Sequence, residues 1–326
     1  SNIILNDEKN EHSVICIKFA GNSYLKIKNK CKNILHLRLE NPVLDFLKLI
    51  KFVLKVKPDV LQTWLYYCDL LGTLVSFALR SKCLFWNIRC TLTNRKEFKF
   101  KTNMAIKICS FLSHFSPKYI ITCSKRSYLD HLKIGYAKNK LKVIENGVDT
   151  NKFFPSESLR MTFREKFKLN DNDLILGTFA RYDIQKDHNT LLKALEIIKI
   201  KGLKFKCFLV GADMNYSNAN LVKKIKKYNL EDDIFLFGSR SDINFLLNGI
   251  DFHILPSKSE GFPNITLEAM AAGTPCISSN NSDSKEIIGE SGWIFPVSNH
   301  QKLAECIEMA FCENINIRNI RVEKAL

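Results

Sequence analysis

Two glutamates frame a turn in the last third of the chain, within SEGFPNITLEAMAAG (259–273). Glu260 and Glu268 are separated by seven residues. Glu260 follows the apolar strand segment DFHILPS, and the Gly-Phe-Pro-Asn stretch after it indicates a turn. A carboxylate is a good acceptor for two hydrogen bonds from vicinal hydroxyls, such as those of a sugar or a ribose. The pair therefore indicates two carboxylates in one pocket, or a loop charge followed by an ordinary surface helix residue.

The residues after the turn predict a helix of small side chains. Asn264 or Thr266 can cap its start, and Gly273 is suited to its end. We expect Glu268 near the first turn, where the helix dipole alone favours a carboxylate. We also expect the N–H groups of residues 261–264 to face the same pocket and to suit a phosphate.

Two cations follow another strand, in GTFARYDIQKDHNT. Arg181 and Lys186 are five residues apart on a loop that leads into a helix. Two cations and a helix N-terminus at one strand end favour an anion, and a diphosphate can use all of them. Taken alone, the pair is also compatible with two solvated surface cations.

In FLFGSRSD the predicted strand ends at the glycine, as does the predicted strand in FLVGAD before it. Glycine lets backbone approach a ligand closely. Gly238, Ser239 and Arg240 could border a nucleotide base, although any parallel strand can end in this way.

The elements that must position these residues alternate between strand and helix along the whole chain. This alternation predicts an α/β fold with two doubly wound parallel sheets, each binding ligands at the carboxyl ends of its strands. The turn-rich segment NGVDTNKFFPSES is the predicted linker, giving domains 1–152 and 153–326. Residues 1–11 indicate the end of a helix, so we expect an opening strand and Gly-rich loop upstream of the sequence.

Charge is distributed unevenly. Residues 1–155 contain 27 Lys and Arg against 11 Asp and Glu, whereas the remainder contains 22 of each, so the net charge of +16 lies in the first half. This favours phosphate-bearing partners: nucleic acid, anionic lipid headgroups or a diphosphate substrate. A lysine-rich composition with solvated faces is the alternative. The segments LKIKNKCK (25–32) and NRKEFKFK (94–101) are candidate membrane contacts.

Cysteine usage indicates a reducing compartment. Eleven cysteines are present, none in a C-x-x-C pair, and most lie in apolar runs. We expect no structural metal, no cofactor and no membrane span. Asp171–Asp173 form a literal D-x-D, which we interpret as a turn before a strand.

Taken together, these motifs make the chain resemble a retaining glycosyltransferase of the GT-B fold, in the large family 4 group. Glu260 to Glu268 resembles its Glu-x7-Glu element, and Arg181 to Lys186 its Arg-x4-Lys element. VIENGVDTNKFFP (143–155), QTWLYYCDLLG (62–72) and WNIRCTL (86–92) resemble its linker and N-domain segments. The resemblance covers nearly the whole chain and implies two Rossmann-like domains facing a central cleft, acceptor-binding first and donor-binding second.

The resemblance implies roles for the donor site. Arg181 and Lys186 would hold the donor diphosphate and stabilise the leaving group, while Glu260 contacts the transferred sugar. Glu268 would bind the nucleotide ribose. The remaining implied donor contacts are Gly238, Ser239, Arg240, Gly261, Phe262, Pro263 and Asn264.

The acceptor side departs from the family pattern. Many members carry a histidine in the segment matching WNIRCTL, where this chain has Arg89 and Cys90, and Cys68 replaces another common histidine. The acceptor-side residues implied by the resemblance are Arg89, Cys90 and Tyr67.

The resulting hypothesis is a metal-independent transferase. It would move a hexose or N-acetylhexosamine from a UDP- or GDP-sugar to a lipid-linked or saccharide acceptor in bacterial surface polysaccharide or glycolipid assembly. It would act in the cytoplasm, with a peripheral contact to anionic membrane through the basic N-terminal domain. The alternatives are a GT-B sugar-nucleotide epimerase, a donor-binding non-catalytic partner subunit, and a nucleic-acid-binding protein. The last gives Glu260 and Glu268 no role, so we expect no nucleic-acid partner.

Overall fold

The structure, a computed structural model, describes residues 2–17, 24, 27–38, 40–80, 83–93, 95, 98–170, 173–313 and 322–323. Two compact units are formed. The first comprises Ser1–Asn87, Lys101–Ile121 and Tyr136–Leu141, and the second comprises Ile88–Phe100, Thr122–Gly135 and Lys142–Leu326. The domain boundary at residue 152 stays a prediction.

The first 143 residues alternate strands and helices, as the sequence predicted. In chain order they are α1 (Asn2–Asn6), β1 (His12–Ile17), β2 (Cys31–Leu37), α2 (Pro42–Val56), β3 (Leu61–Trp64), α3 (Tyr66–Leu79), β4 (Leu84–Ile88), α4 (Phe100–Leu112), β5 (Tyr119–Thr122), α5 (Lys125–Lys133) and β6 (Leu141–Val143). β1 and β2 pair in parallel, and the order of a second sheet is β3-β4-β5-β6.

Local sequence explains the limits of α2. The Asn41 side chain accepts a hydrogen bond from the Leu44 N–H, and Pro42 occupies the first helical position, where its missing N–H costs nothing. Leu49 and Val53 of α2 then pack with Val75 of α3 in the core of this unit.

The rest of the chain forms the second α/β series. Its elements are α6 (Glu157–Lys166), β7 (Leu174–Phe179), α7 (His188–Ile200), β8 (Phe205–Val210), α8 (Ala219–Lys227), β9 (Ile234–Gly238), α9 (Ile243–Gly249), β10 (Phe252–Leu255), α10 (Asn264–Ala271), β11 (Cys276–Ser279), α11 (Ser284–Ile288), β12 (Gly292–Phe295) and α12 (His300–Cys312). A 3₁₀ turn, Ile184–Lys186, precedes α7.

These strands form one six-stranded parallel sheet in the order β12-β11-β10-β7-β8-β9. Apolar residues of α7, α8 and α12 pack on one face, and those of α6, α9, α10 and α11 on the other. Because both faces are covered, β7 is buried along its whole length and its sequence is an apolar run. The α/β class with parallel sheets is therefore confirmed.

Helix α6 was missed by the sequence analysis, which continued directly from the turn-rich linker to β7. Its start had a readable signal, because Ser156 accepts a hydrogen bond from the Leu159 N–H and Glu157 occupies the first turn.

The D-x-D motif lies partly outside the described residues, since Asp171 is not among them. Asp173 closes a short turn, its carboxylate accepting a hydrogen bond from the Asn170 N–H at 2.8 Å. Along the described parts of the chain, no helix is both long and apolar enough to cross a membrane.

Candidate functional site

The predicted cations and the first glutamate lie where the strand order of the six-stranded sheet reverses. β7 and β10 are neighbours, but the chain continues from β7 to β8 on one side and from β10 to β11 on the other. The loops that leave them, 180–187 and 256–263, therefore diverge and form the crevice where open α/β sheets bind ligands. A hydrogen bond of 2.7 Å from the Lys258 N–H to the Gln185 carbonyl joins the two loops.

Lys186 and Glu260 meet in this crevice. The lysine Nζ donates to glutamate Oε1 at 2.5 Å, and both side chains are mostly buried, at 17% and 12% exposure. Asp183 sets the position of the lysine, because its side chain accepts from the Gln185 N–H and begins the 3₁₀ turn that ends at Lys186. The two motifs thus form one charge pair, which neither motif revealed alone.

Arg181 stands at the end of β7 and is 58% exposed on its side chain. Its Nε donates to an Asp183 carboxylate oxygen at 3.3 Å. Within the described parts of the chain, its two terminal nitrogens have no hydrogen-bond partner, so they can receive an anion.

Gly261 follows Glu260 at a point with no room for a side chain. A Cβ added there would lie 2.2 Å from the Arg89 carbonyl oxygen. Thr91 donates to the Glu260 carbonyl at 3.0 Å and contacts the Ser259 hydroxyl at 3.0 Å. The segment 89–91, which belongs to the same compact unit, therefore holds the loop in place.

The turn after Gly261 provides two free backbone donors, fewer than expected. Pro263 has no N–H, and the Asn264 N–H is bonded to the Phe262 carbonyl at 3.0 Å. In the described parts of the chain, the N–H groups of Gly261 and Phe262 carry no hydrogen bond, so they are available to a ligand. The Phe262 and Pro263 side chains are buried and fix the turn.

The capping prediction for α10 was wrong. The N-cap is Pro263, Asn264 is the first helical residue, and no side chain bonds back to a helix N–H. The Asn264 side chain instead accepts from Asn146 Nδ2 at 2.8 Å, and Asn146 in turn accepts from Arg89 Nη1 at 2.6 Å. Arg89 is therefore linked through one side chain to the start of α10. Gly273 has φ +75° just beyond the helix, as predicted for its end.

Glu268 lies in the second turn of α10, because the helix begins at Asn264 rather than nearer the glutamate. It is half-buried, and in the described parts of the chain its carboxylate has no hydrogen-bond partner. Burial raises the pKa of Glu268, while the charge of Lys152 acts in the opposite direction. A half-buried carboxylate without a partner is costly, and a ligand hydroxyl would relieve that cost.

Gly238 is held through its backbone and Arg240 through its side chain. Gly238 has φ +62°, which glycine adopts without strain, and its carbonyl accepts from the Gly211 N–H at 2.7 Å. Arg240 is held in a two-bond contact by Asp242, at 2.8 and 2.6 Å, and Ser239 is exposed.

Gly211 is a positioning residue that the sequence analysis did not single out. A Cβ there would lie 2.2 Å from the Ala180 carbonyl and 2.8 Å from the Arg181 nitrogen. The sequence analysis interpreted the glycine of FLVGAD as a point where backbone approaches a ligand. In the structure, Gly211 instead lies close to the backbone that carries Arg181.

The predicted acceptor-side residues belong to different units. Arg89 and Cys90 belong to the second unit, where the Cys90 carbonyl accepts from the Ser127 hydroxyl at 2.8 Å. Tyr67 belongs to the first unit, and its hydroxyl is 3.2 Å from that of Thr102 on α4.

His253 on β10 is a further residue beneath this crevice. It is fully buried, its ring lies tilted against that of Phe179 with centroids 5.7 Å apart, and neither ring nitrogen has a hydrogen-bond partner in the described structure. Burial, with the nearby Lys186 charge, lowers the pKa of His253 to about 3, so the ring is neutral at physiological pH.

No group of three or more His, Cys, Asp or Glu among the described residues is arranged to hold a metal ion. Whether the site works without a metal stays a prediction.

Comparison with known proteins identifies the family. The family model described as "Glycosyl transferases group 1" matches residues 160–325. The chain is 28% identical over 260 residues to the Escherichia coli UDP-Gal:alpha-D-GlcNAc-diphosphoundecaprenol alpha-1,3-galactosyltransferase, covering 77% of this chain and 64% of that protein. It is 24% identical to the Staphylococcus aureus capsular polysaccharide biosynthesis glycosyltransferase CapM, covering 81% and 70%. Matches to three curated relatives, these two included, span 38% to 70% of their lengths.

Solved structures give the fold. Anabaena HepE in complex with UDP-glucose has a TM-score of 0.82 at 18% identity, covering 95% of this chain and 85% of that chain. A Rickettsia africae glycosyltransferase has a TM-score of 0.76 at 22% identity, covering 96% and 84%. The α/β units are therefore those of the GT-B fold, and the chain belongs to the glycosyl transferases group 1 family.

Proposed function

We propose that this protein is a retaining, metal-independent glycosyltransferase. It moves a hexose or N-acetylhexosamine from a nucleotide-sugar to a lipid-linked or saccharide acceptor in bacterial surface polysaccharide or glycolipid assembly. The observation that carries the proposal is the buried Lys186–Glu260 pair, which lies with Arg181 at the crevice where the strand order of the six-stranded sheet reverses. This site combines cations for a diphosphate with a carboxylate for a sugar.

The donor diphosphate has four ligands in this proposal. Arg181 contributes its two terminal nitrogens and Lys186 its ammonium group, while Gly261 and Phe262 contribute N–H groups. As the bond between the sugar and the phosphate oxygen breaks, negative charge grows on the departing diphosphate, and these fixed donors stabilise it.

Lys186 has to serve two partners. Without donor its ammonium group is held by Glu260, and a bound diphosphate competes for the same group. As the lysine turns toward phosphate, a Glu260 oxygen becomes available to a hydroxyl of the transferred sugar. Donor binding and sugar recognition are coupled in this way.

The nucleotide end is assigned to Glu268 and to the loop after β9. The half-buried Glu268 carboxylate, which has no hydrogen-bond partner among the described residues, accepts both ribose hydroxyls. The backbone of Gly238 and Ser239 borders the base. The Arg240 guanidinium is hydrogen-bonded to Asp242, so it holds the loop in place and also borders the edge of the base.

The transfer itself is a front-face displacement. The acceptor oxygen bonds to the anomeric carbon on the face from which the diphosphate leaves, and the acceptor proton passes to the departing phosphate oxygen. Configuration is retained. Arg89 and Cys90, next to Gly261, and Tyr67 are the proposed acceptor-side residues.

The relatives support a first choice of substrates. The Escherichia coli relative is named for a UDP-Gal donor and a GlcNAc-diphosphoundecaprenol acceptor, and HepE binds UDP-glucose. We infer a UDP-sugar before a GDP-sugar, a diphosphate-linked lipid acceptor, and a cytoplasmic site of action.

The test is a transfer assay with UDP-glucose, UDP-galactose, UDP-N-acetylglucosamine and GDP-mannose, each with an N-acetylglucosaminyl diphosphate lipid. We expect one donor to give UDP or GDP and a product whose new bond keeps the anomeric configuration of the donor by NMR. Lys186→Ala should abolish most turnover, whereas exposed Lys201→Ala should not. Donor conversion without nucleotide release would indicate an epimerase, and inversion in the product would contradict retention.

A further inference from the structure

Helix α4 has an unusual outer face. Its inner face buries Ala105, Ile106 and Cys109. The outward residues are large and apolar, with exposures between 44% and 77%, and we call them the apolar ridge: Phe100, Met104, Ile108, Phe111 and, just beyond the helix, Phe115.

The ridge is continuous along the helix. Successive members are three or four residues apart, which places them on one side. The rings of Phe111 and Phe115 touch, with centroids 5.4 Å apart. A helix that only faced water would carry polar residues on this side, so the ridge marks a contact surface.

Lysines flank the ridge along the sequence. Residues 98–118 include four lysines, namely Lys99, Lys101, Lys107 and Lys118, and no Asp or Glu. None of these lysines forms an ion pair with a described residue, and Lys101 and Lys107 are exposed on the helix itself. This arrangement of an apolar stripe with basic flanks is typical of helices that lie in the plane of a membrane surface.

We propose that the apolar ridge docks on an anionic phospholipid bilayer. The ring and thioether side chains would enter the boundary between headgroups and acyl chains, while the four lysines contact lipid phosphates. α4 has 13 residues and is therefore about 20 Å long, enough to lie along the interface but not to cross it. This inference goes beyond sugar transfer and does not depend on it.

Charge decides between a membrane and a second copy of the chain. A two-fold contact through the ridge would bring eight lysines together with no acidic residue of residues 98–118 to offset them. An anionic bilayer offers the complementary charge.

The two lysine-rich segments of the sequence analysis relate to this surface differently. Residues 25–32 and 94–101 lie partly outside the described residues. Phe100 and Lys101, at the end of the second segment, belong to the ridge and its basic flank. The docking surface is thus assigned to the outer face of α4 instead of to basic loops.

Vesicle flotation tests this assignment. The full chain is mixed with vesicles of phosphatidylcholine alone, or of phosphatidylcholine with phosphatidylglycerol. We expect the protein to float with the anionic vesicles, to bind neutral ones weakly, and to be released by added salt. The F111S/F115S variant should lose at least about tenfold in partitioning, since two rings no longer enter the interface.

A matched control separates this surface from apolar exposure in general. Ile200 and Tyr216 of the second unit are 79% and 67% exposed, so an I200S/Y216S variant removes similar area elsewhere and should float like the wild type. Circular dichroism and the melting temperature check that each variant folds. Equal flotation of F111S/F115S and wild type, or no flotation of the wild type on anionic vesicles, would overturn the proposal. So would a wild-type dimer, by light scattering, that F111S/F115S dissociates.

Discussion

Lys186 Nζ lies 2.5 Å from Glu260 Oε1, although the two residues are 74 positions apart and belong to different motifs. Their loops leave adjacent strands of the sheet at the point where its order reverses. The pair thus joins one residue of the Arg-x4-Lys element to one residue of the Glu-x7-Glu element.

A double-mutant cycle on this pair should show strong coupling. Lys186→Ala leaves Glu260 buried without its partner and removes one donor to the leaving group, so we expect kcat to fall about 100-fold or more. Glu260→Ala should also reduce activity, and the double variant should lose less than the product of the two single losses. Initial rates of nucleotide release provide the measurement. Strictly multiplicative losses would mean that the pair does not act as a unit.

Gly261→Ala should impair the site, because its methyl group would lie 2.2 Å from the Arg89 carbonyl oxygen. The segment 89–91 and the Glu260 loop would have to separate, and we expect at least a tenfold loss of kcat/KM. Gly147→Ala is the matched control, since no atom of a described residue lies within 4 Å of a Cβ at that glycine. Equal activity of the two variants would show that the packing against Arg89 is dispensable.

His253→Phe should stabilise the protein. The histidine is fully buried, and its two ring nitrogens have no hydrogen-bond partner in the described part of the chain; a phenylalanine removes them while keeping an aromatic ring against Phe179. We expect a gain of about 1 kcal/mol in the free energy of unfolding, measured by urea titration. A loss of stability would mean that a ring nitrogen has a partner.

Asp69 should make stability depend on pH. It is completely buried, accepts a hydrogen bond from Thr63, and burial raises its pKa from 3.8 to about 8. Between these values the unfolded chain has released the proton that the folded chain keeps. Its contribution is therefore fully present below about pH 4 and is lost progressively as the pH rises to about 8.

Asp69→Asn removes this titration and keeps the size of the side chain. The urea midpoint of unfolding is measured for both proteins at several pH values. Between about pH 5 and about pH 8, where the Asp69 carboxyl titrates, the midpoint should fall less steeply in the variant than in the wild type. Parallel curves for the two proteins would contradict a protonated buried Asp69.

Sequence patterns predicted most of the fold, for reasons visible in particular elements. β7 is buried on both faces, and its sequence is therefore mostly apolar. The start of α2 is indicated by the capping residue Asn41 and by Pro42. α6 was missed because its segment, ESLRMTFREK, is polar and follows a turn-rich linker that masked the capping serine.

The site was harder to predict where it depends on contacts between distant segments. The cations and carboxylates could be picked out by type and spacing. Gly211 and the Arg89–Asn146–Asn264 chain could not, because each depends on which backbone lies opposite in the folded protein. The predicted cap of α10 was wrong for a similar reason, since the Asn264 side chain bonds to Asn146 rather than to its own helix.

The most direct test of the account is calorimetric titration of the chain with UDP, GDP and CDP, beside Glu268→Ala. We expect one nucleotide, UDP first, to bind, and we expect the substitution to weaken binding at least tenfold because two ribose hydrogen bonds are lost. That result would support a nucleotide-sugar site at Glu268 and name its base. No binding by any of the three nucleotides, or equal binding by the variant, would contradict it.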